Sequence, residues 1–193
     1  TIGLPEEHSL PYPDHKLWET HPVINENLYE HIHCGALHPV PDVTKFEGNT
    51  AVFTDGRHEH IDVVIAATGY KLTFPSISAL EQKTRHSVPE LFMHFLHPEE
   101  NDLAVVGMIQ PDSGQWGITD LQSQVIARMI LADRRAPRAK TWLQKQRQRS
   151  SGDHSIRYID SPRHELEVEH FSYSKRLKKL IAGMNRRLRH APA

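Results

Sequence analysis

Cysteine is nearly absent from the sequence, since Cys34 is the single one among 193 residues. One cysteine excludes an intrachain disulfide and is typical of a reducing compartment, so we expect a cytoplasmic protein. No apolar run approaches the roughly 18 residues that a membrane-spanning helix needs, so no membrane span is predicted. A glycine-rich loop of the kind that cradles phosphates is also missing. Nucleic-acid-binding proteins usually carry a positive net charge, whereas the net charge here is -1. We therefore do not expect nucleic acid as the main partner.

Histidine, by contrast, is abundant, with 15 residues. The tightest groups are His31, His33 and Cys34; His58 and His60; and His94 with His97. A zinc site needs ligands that converge, commonly two short-spaced pairs. His31 and His33 lie in a predicted helix, where residues two apart point in different directions, and no second pair accompanies His58 and His60. We therefore predict no metal site.

Short elements joined by turns are predicted up to residue 46. Residues 1–20 are rich in proline and turn-forming residues, which indicates an extended connector. Residues 24–34 carry apolar side chains at helical spacing, which predicts an amphipathic helix ended by Gly35. Two prolines within 37–46 argue against a central strand in that extended stretch.

A hairpin and a buried strand are predicted next. Residues 51–54 and 57–61 flank Asp55-Gly56, a pair that favours a two-residue turn because both positions tolerate positive φ. The return strand leads directly into the unbroken apolar run DVVIAA, residues 62–67. Such a run predicts a strand buried on both faces.

The second half predicts another strand pair and then helices. Residues 91–96 and 103–109 would pair, the later strand fully buried. After the loop 110–117, Thr119 and Gln122 form a capping-box pattern, which predicts that a helix begins beside Thr119. Helices are also expected over 137–148 and, after a linker at 150–153, near the C-terminus. That last helix has an apolar face at Leu177, Leu180, Ile181, Met184 and Leu188, and a basic face that we interpret as solvated.

Both apolar runs end in loops that contain glycine, at 68–70 and 110–117. In open α/β sheets, ligands bind beyond the carboxyl ends of the strands, and glycine lets a ligand approach the backbone without meeting a Cβ atom. The second loop leads into a predicted helix, whose N-terminal N–H groups would stabilise negative charge. The two loops together predict a ligand site, although tight turns alone would also explain the glycines.

Residues 62–70, DVVIAATGY, followed by Pro75, resemble the Asp…Ala-Thr-Gly-Tyr…Pro motif of flavin-containing monooxygenases. The same motif occurs in the related Baeyer–Villiger and N-hydroxylating enzymes. Residues 52–56, 107–111 and 121–124 follow the order and spacing of the first group best. The resemblance covers roughly residues 3 to 185.

The resemblance implies an α/β fold with two dinucleotide-binding domains. Both Gly-x-Gly-x-x-Gly loops of the family, and the Phe-x-Gly-x-x-x-His run between them, are absent from this sequence. We therefore predict the C-terminal portion of such a flavoprotein, with incomplete Rossmann-like domains and a helical C-terminal tail. The predicted parts are 1–61, the end of the NADPH-binding domain with its connector and hairpin; 62–134, the C-terminal part of the FAD-binding domain; and 135–193, a helical extension.

The resemblance also implies a chemistry. NADPH would reduce FAD, the reduced flavin would capture O2 as a C4a-hydroperoxyflavin, and that species would oxygenate a soft nitrogen or sulfur atom of a small molecule. Residues 68–70 would lie near the junction of the two cofactors. Gln110 would approach the flavin ring, and the following helix would begin behind its pyrimidine edge. The implied cofactor-binding residues are Thr68, Gly69, Tyr70, Gln110, Ile118 and Thr119; no catalytic residue is assigned.

Both cofactors would need the N-terminal half of the same protein, so the isolated chain is expected to be inactive. A homodimer is compatible with the sequence. Two alternatives stay open: a fragment of a Baeyer–Villiger or N-hydroxylating monooxygenase, and a non-catalytic remnant that binds a partner through its strand edges and basic helix.

Overall fold

The computed structural model describes residues 5–16, 19–20, 25, 27–80, 84–85, 88–148, 159 and 161–189. The predicted helix start at Ile24, the predicted linker 150–153 and part of the N-terminal resemblance lie outside these ranges. Helices and strands are mixed, in agreement with the predicted α/β class. The chain divides into two compact units: the first ends at Tyr70, and the second begins at Lys71 and includes Leu17–Pro22. The division into three functional parts stays a prediction.

The first unit contains a 3-10 turn at Pro5–His8, helix α1 and a three-stranded antiparallel sheet. Helix α1 spans Leu28–His33. Strands β1, Val43–Glu47, and β3, His58–His60, flank the central β2, Thr50–Phe53. Because Ala51, Val52 and Phe53 are buried, the central strand supplies the apolar centre of this sheet.

Helix α1 ends where the sequence predicts. Gly35 has φ of +75°, a left-handed conformation that glycine adopts without a Cβ penalty. The N–H of Gly35 donates to the carbonyl of Ile32 (3.1 Å), and the N–H of Ala36 donates to that of His31 (2.9 Å). These bonds satisfy carbonyl groups that the last turn would otherwise leave without a partner.

The predicted hairpin over β2 and β3 is confirmed, but its two-residue turn is wrong. The N–H of Phe53 donates to the carbonyl of Arg57 (3.0 Å), which leaves residues 54–56 as a three-residue loop. Gly56 has φ of +84°, the conformation that a three-residue hairpin loop requires of its last residue. Asp55 accepts hydrogen bonds from both the N–H and the Nε of Arg57 (3.0 and 2.6 Å), which closes the loop.

The prediction of a buried strand over 62–67 is wrong for the described residues of this chain. No strand forms there, and Val63, Val64 and Ile65 are exposed, Ile65 by 86%. A strand must give its N–H and C=O groups to neighbouring strands, and no described segment pairs with this run. The apolar pattern is typical of a buried strand, but its side chains are exposed in the described part of the structure.

The second unit is built around three helices: α2, Trp116–Arg135; α3, Pro137–Arg147; and α4, His170–Leu188. Its strands are short pairs, β4 (Thr84–Arg85) with β5 (Val88–Pro89) antiparallel, and β6 (Gln110–Pro111) with β7 (Glu167–Val168) parallel. The predicted helix over 137–148 is confirmed. So is the apolar face of the C-terminal helix, because Leu177, Leu180, Ile181 and Met184 are buried and Leu188 packs against this core.

The predicted strand pair over 91–96 and 103–109 forms only as one β-bridge, Leu96 with Ala104; a second bridge, Phe92 with Leu96, lies within the first segment. Met93 and His94 have positive φ, which folds the first segment back on itself. Gly107, with φ of +81°, turns the second segment before it reaches β6. The expected continuous burial is therefore wrong: Met108 and Ile109 are buried, whereas Val106 is exposed.

Candidate functional site

The parallel strands β6 and β7 each lead into a helix, β6 into α2 and β7 into α4. Parallel strands end at the same edge of their sheet, so both helices begin on one side of it. The carboxylate of Asp112, just after β6, accepts a hydrogen bond from the N–H of His170, the first residue of α4 (2.8 Å). This bond holds the two helix starts together. We refer to residues 110–119, which run from β6 into the first turn of α2, as the α2 entry loop.

The N-terminus of α4 is closed by carboxylates. The two oxygens of Glu169 accept hydrogen bonds from the N–H groups of Phe171 (2.9 Å) and Ser172 (2.7 Å), and Asp112 takes the N–H of His170. Three of the N–H groups that a helix start leaves without an intrahelical partner are therefore satisfied. Negative charge at this position also complements the helix dipole. These three N–H groups are therefore not available to bind an anionic ligand.

The N-terminus of α2 is open. Its N-cap residue, Gln115, makes no side-chain hydrogen bond to the first turn; its Nε2 instead donates to the carbonyl of Gly107 (2.7 Å). The N–H groups of Trp116 and Gly117 have no hydrogen-bond acceptor among the described residues. The positive end of this 20-residue helix therefore carries two N–H donors with no hydrogen bond to a described residue.

The predicted capping box at Thr119 and Gln122 is wrong, because α2 begins one turn earlier. The hydroxyl of Thr119 donates to the carbonyl of Trp116 within the helix (2.9 Å). Gln122 is fully buried instead of capping the helix. Its Oε1 accepts from the N–H of Gly107 (2.9 Å), and its Nε2 donates to the hydroxyl of Tyr173 (2.9 Å).

A buried polar network holds the backbone that leads to the α2 entry loop. The Tyr173 hydroxyl accepts from Gln122 and donates to the carbonyl of Met93 through a short hydrogen bond. Burial raises the pKa of Tyr173 far above its ordinary value, so the phenol keeps its proton. Gln115 and Gln122 together take both the C=O and the N–H of Gly107. The turn at Gly107, three residues before Gln110, is therefore fixed on both sides.

The α2 entry loop contains three of the implied cofactor-binding residues. The side chain of Gln110 is exposed in β6, and its N–H donates to the carbonyl of Leu166 (2.6 Å). Ile118 is fully buried, and its N–H and that of Thr119 donate to the carbonyl of Gln115 (both 3.0 Å). Of the three implied residues, only Gln110 therefore has a side-chain amide exposed for a ligand, while the N–H groups of Ile118 and Thr119 are bonded within the helix start. The role of each residue stays a prediction.

The other three implied residues, Thr68, Gly69 and Tyr70, lie at the end of the first unit. Tyr70 is fully exposed. Gly69 has φ of +92°, but no atom lies within 4 Å of the position that a Cβ would occupy. The backbone conformation, not crowding, is what favours glycine here.

Sequence reasoning missed two features of the site. Gln122 lies among Ile118, Val125 and Met129 on the buried face of α2, and an amide at such a spacing signals a buried polar network. Exposed aromatic side chains also stand at both helix starts, Trp116 on α2 and Phe171 on α4. Trp116 falls in the predicted loop 110–117 because the predicted start of α2, near Thr119, lies one turn too late.

In the described part of the chain, no three His, Cys, Asp or Glu side chains are grouped so that they could hold a metal ion. Of the helices described, none has the length and apolarity to cross a membrane.

The family described as flavin-binding monooxygenase-like matches residues 5–187. The chain belongs to this family. Curated relatives include flavin-containing monooxygenase 5 of Mus musculus, 28% identical over 172 residues, which is 88% of this chain and 32% of the relative. Flavin-containing monooxygenase 2 of Homo sapiens is 30% identical over 121 residues, 61% of this chain and 23% of the relative. The suspected family is thereby confirmed.

A third relative of this flavin-binding monooxygenase-like chain carries a different name. It is the 4-hydroxybenzoate brominase (decarboxylating) of Marinomonas mediterranea, 35% identical over 107 residues, which is 54% of this chain and 20% of the relative. The chain spans about a third of the length of the flavin-containing monooxygenase 5 relatives that it matches.

Proposed function

We propose that this chain is the C-terminal part of an FAD- and NADPH-dependent monooxygenase that oxygenates a soft nitrogen or sulfur atom of a small molecule. The open N-terminus of α2 and the exposed side chain of Gln110, in the strand that leads into α2, carry the proposal, together with membership of the flavin-binding monooxygenase-like family. When bound, FAD supplies the redox chemistry between NADPH and O2. The residues of this chain hold and polarise it.

The α2 entry loop fits the pyrimidine edge of a flavin. That edge carries carbonyl oxygens and gains negative charge when the ring is reduced, so it calls for N–H donors and a positive dipole end. The first N–H groups of α2 and the Gln110 amide supply donors of this kind. The Gln115 and Gln122 contacts to Gly107 keep the loop in place, so its donors need little rearrangement when charge develops.

Residues 62–67 would complete a sheet with strands from the remaining two thirds of such a monooxygenase. The exposure of Val63, Val64 and Ile65 supports this part of the proposal, because a contiguous apolar run at a surface marks a site of protein contact. Thr68, Gly69 and Tyr70 would then follow a buried strand near the junction of FAD and NADPH. The phosphate-binding loops would lie in the same missing part, so the 193-residue chain alone is expected to retain no FAD.

The test uses the complete natural polypeptide that contains this chain. It should purify with bound flavin and oxidise NADPH in the presence of O2 and a thioether or tertiary amine. Gln110→Ala should weaken FAD retention or increase NADPH oxidation that yields no oxygenated product. Gln148→Ala, at an exposed position after α3, is the matched control and should change neither. Unchanged FAD affinity and unchanged coupling in Gln110→Ala would contradict the assignment.

The same preparation distinguishes three other reactions. A Baeyer–Villiger or N-hydroxylating enzyme would convert a ketone to an ester or hydroxylate a primary amine. The similarity to a brominase favours a third reaction, halogenation of an aromatic ring. Product formation that requires bromide would support halogenation against oxygenation. Loss of flavin from the complete polypeptide under native conditions would instead favour a non-catalytic remnant.

A further inference from the structure

Charge is divided unevenly along the chain, although the total is close to zero. Residues 1–70 contain 11 acidic and 3 basic side chains, whereas residues 71–193 contain 13 acidic and 20 basic side chains. The basic excess is concentrated towards the C-terminus, since residues 170–193 contain seven Lys and Arg residues and no Asp or Glu. Such an asymmetry between two parts of a chain indicates an anionic partner for the basic part.

Helix α4 presents most of these cations on one face. Its exposed side chains recur at helical spacing: Phe171, Lys175, Lys178, Lys179, Ala182, Arg186 and Arg189. Residues three, four or seven positions apart lie on the same side of a helix. These side chains therefore form a continuous stripe about 27 Å long, which we call the α4 basic stripe. The opposite side of α4 is packed in the core of the second unit, so only the stripe can meet a partner.

The cations of the α4 basic stripe have no acidic partner in the part of the chain that the structure describes. None of the ion pairs there includes Lys175, Lys178, Lys179, Arg186 or Arg189. The nearest carboxylate in the sequence, that of Glu169, accepts hydrogen bonds from the first turn of α4. Like charges three or four positions apart on a helix repel each other. A negatively charged surface would offset this repulsion.

The shape and the end of the stripe distinguish between anionic partners. The stripe lies on the outer side of a single helix, which fits a flat surface without a groove or cleft. Phe171, at the N-terminal end of the stripe, is 78% exposed. An aromatic ring on a basic helix is favoured where the headgroups of a bilayer meet its acyl chains, whereas contacts to phosphates alone give it no role. These two features favour a lipid surface over a nucleic acid.

We propose that the α4 basic stripe docks on a membrane surface that contains anionic lipids. Its Lys and Arg side chains lie at the lipid phosphate and carboxylate groups, and the Phe171 ring lies among the headgroups. Because the apolar face of α4 stays packed in the core, the helix does not insert, and the contact is peripheral and driven by charge. Salt should therefore weaken it. The proposal does not depend on the monooxygenase assignment.

Sedimentation with vesicles tests the proposal on the complete natural polypeptide that contains this chain. The protein should bind vesicles of phosphatidylcholine mixed with phosphatidylserine, should not bind phosphatidylcholine alone, and should be released by sodium chloride. Lys175→Gln with Lys178→Gln should bind about 25-fold more weakly, because each cation at an anionic surface contributes about fivefold to the binding constant. Lys71→Gln with Arg163→Gln removes the same charge at exposed positions outside α4 and should bind like the parent.

Phe171→Ala separates a bilayer from a soluble polyanion. It should weaken the binding to vesicles and leave retention on heparin unchanged, since heparin offers charge but no bilayer interface. Equal binding to both kinds of vesicle, equal losses in the two double variants, or full vesicle binding by Phe171→Ala would overturn the proposal. Binding to RNA that depends on Lys175 and Lys178, without binding to vesicles, would assign the stripe to nucleic acid instead.

Discussion

Replacing Tyr173 with phenylalanine removes one oxygen atom from the centre of the second unit and leaves its shape nearly unchanged. That oxygen accepts a hydrogen bond from Nε2 of Gln122 and donates one to the carbonyl of Met93. Both partners lie in buried residues, so neither regains a hydrogen bond from bulk water. Each polar group left without a partner costs about 1–3 kcal/mol. The free energy of unfolding should therefore fall by about 2–6 kcal/mol.

Urea unfolding followed by far-UV circular dichroism measures this change. Tyr12→Phe, at an exposed tyrosine, is the matched control and should change the free energy of unfolding by less than about 0.5 kcal/mol. A double-mutant cycle with Gln122→Met should give a coupling energy of about 0.5–3 kcal/mol, because the two side chains share one hydrogen bond. A loss below about 0.5 kcal/mol in Tyr173→Phe would show that the network does not stabilise the fold.

The pH dependence of stability gives an independent check of the same residue. Burial raises the pKa of Tyr173, whereas in the unfolded chain the phenol ionises near its ordinary pKa of 10.0. Above pH 10 the folded state therefore binds more protons than the unfolded state, and stability falls as pH rises. Between pH 10 and pH 11 the parent chain should lose about 1 kcal/mol more than Tyr173→Phe. Equal losses in the two proteins would mean that the phenol ionises normally in the fold.

Two further substitutions test packing and capping in the second unit. Glu169→Ala removes both hydrogen bonds that close the N-terminus of α4 and should cost about 1 kcal/mol; an exposed Glu59→Ala should cost nothing measurable in the same urea assay. Gly183→Val places a Cβ 2.3 Å from the Trp142 ring, so it should cost about 1–3 kcal/mol. Ala182→Val, one residue earlier on the exposed face, is its control, and equal costs for the two would refute the packing argument.

Helices of the second unit could be predicted well because their signals are local. The apolar spacing of α4 identifies its buried face from Leu177 to Met184, and Pro137 stands at the first position of α3, where its missing N–H is harmless. Gly35 and Gly56 likewise mark the end of α1 and the β2–β3 loop, because each adopts the positive φ that its turn requires. These features depend on residues only a few positions apart.

Features that depend on distant partners could not be predicted in the same way. The start of α2 was misplaced because Thr119 and Gln122 match a capping box, whereas the buried amide of Gln122 is held by Gly107 and by Tyr173, 51 residues away. The neighbouring residues in the sequence do not show whether a glutamine side chain caps a helix or forms hydrogen bonds with distant residues in the core. The strand predicted over 62–67 is the reverse case, because its pattern is clear but its partners are not among the described residues.

The same reasoning explains why the family was recognised while the site stayed a prediction. The motif at residues 62–70 is specific in sequence, and the family assignment rests on it and on the match over 5–187. Its apolar side chains are exposed, however, so the described part of the chain does not hold that stretch in place. The α2 entry loop is different, because Gln115, Gln122 and Tyr173 fix its backbone from within this chain. If the proposed flavin site is correct, its Gln110 side is preformed in the 193-residue chain, whereas its side near Thr68 needs residues beyond those described.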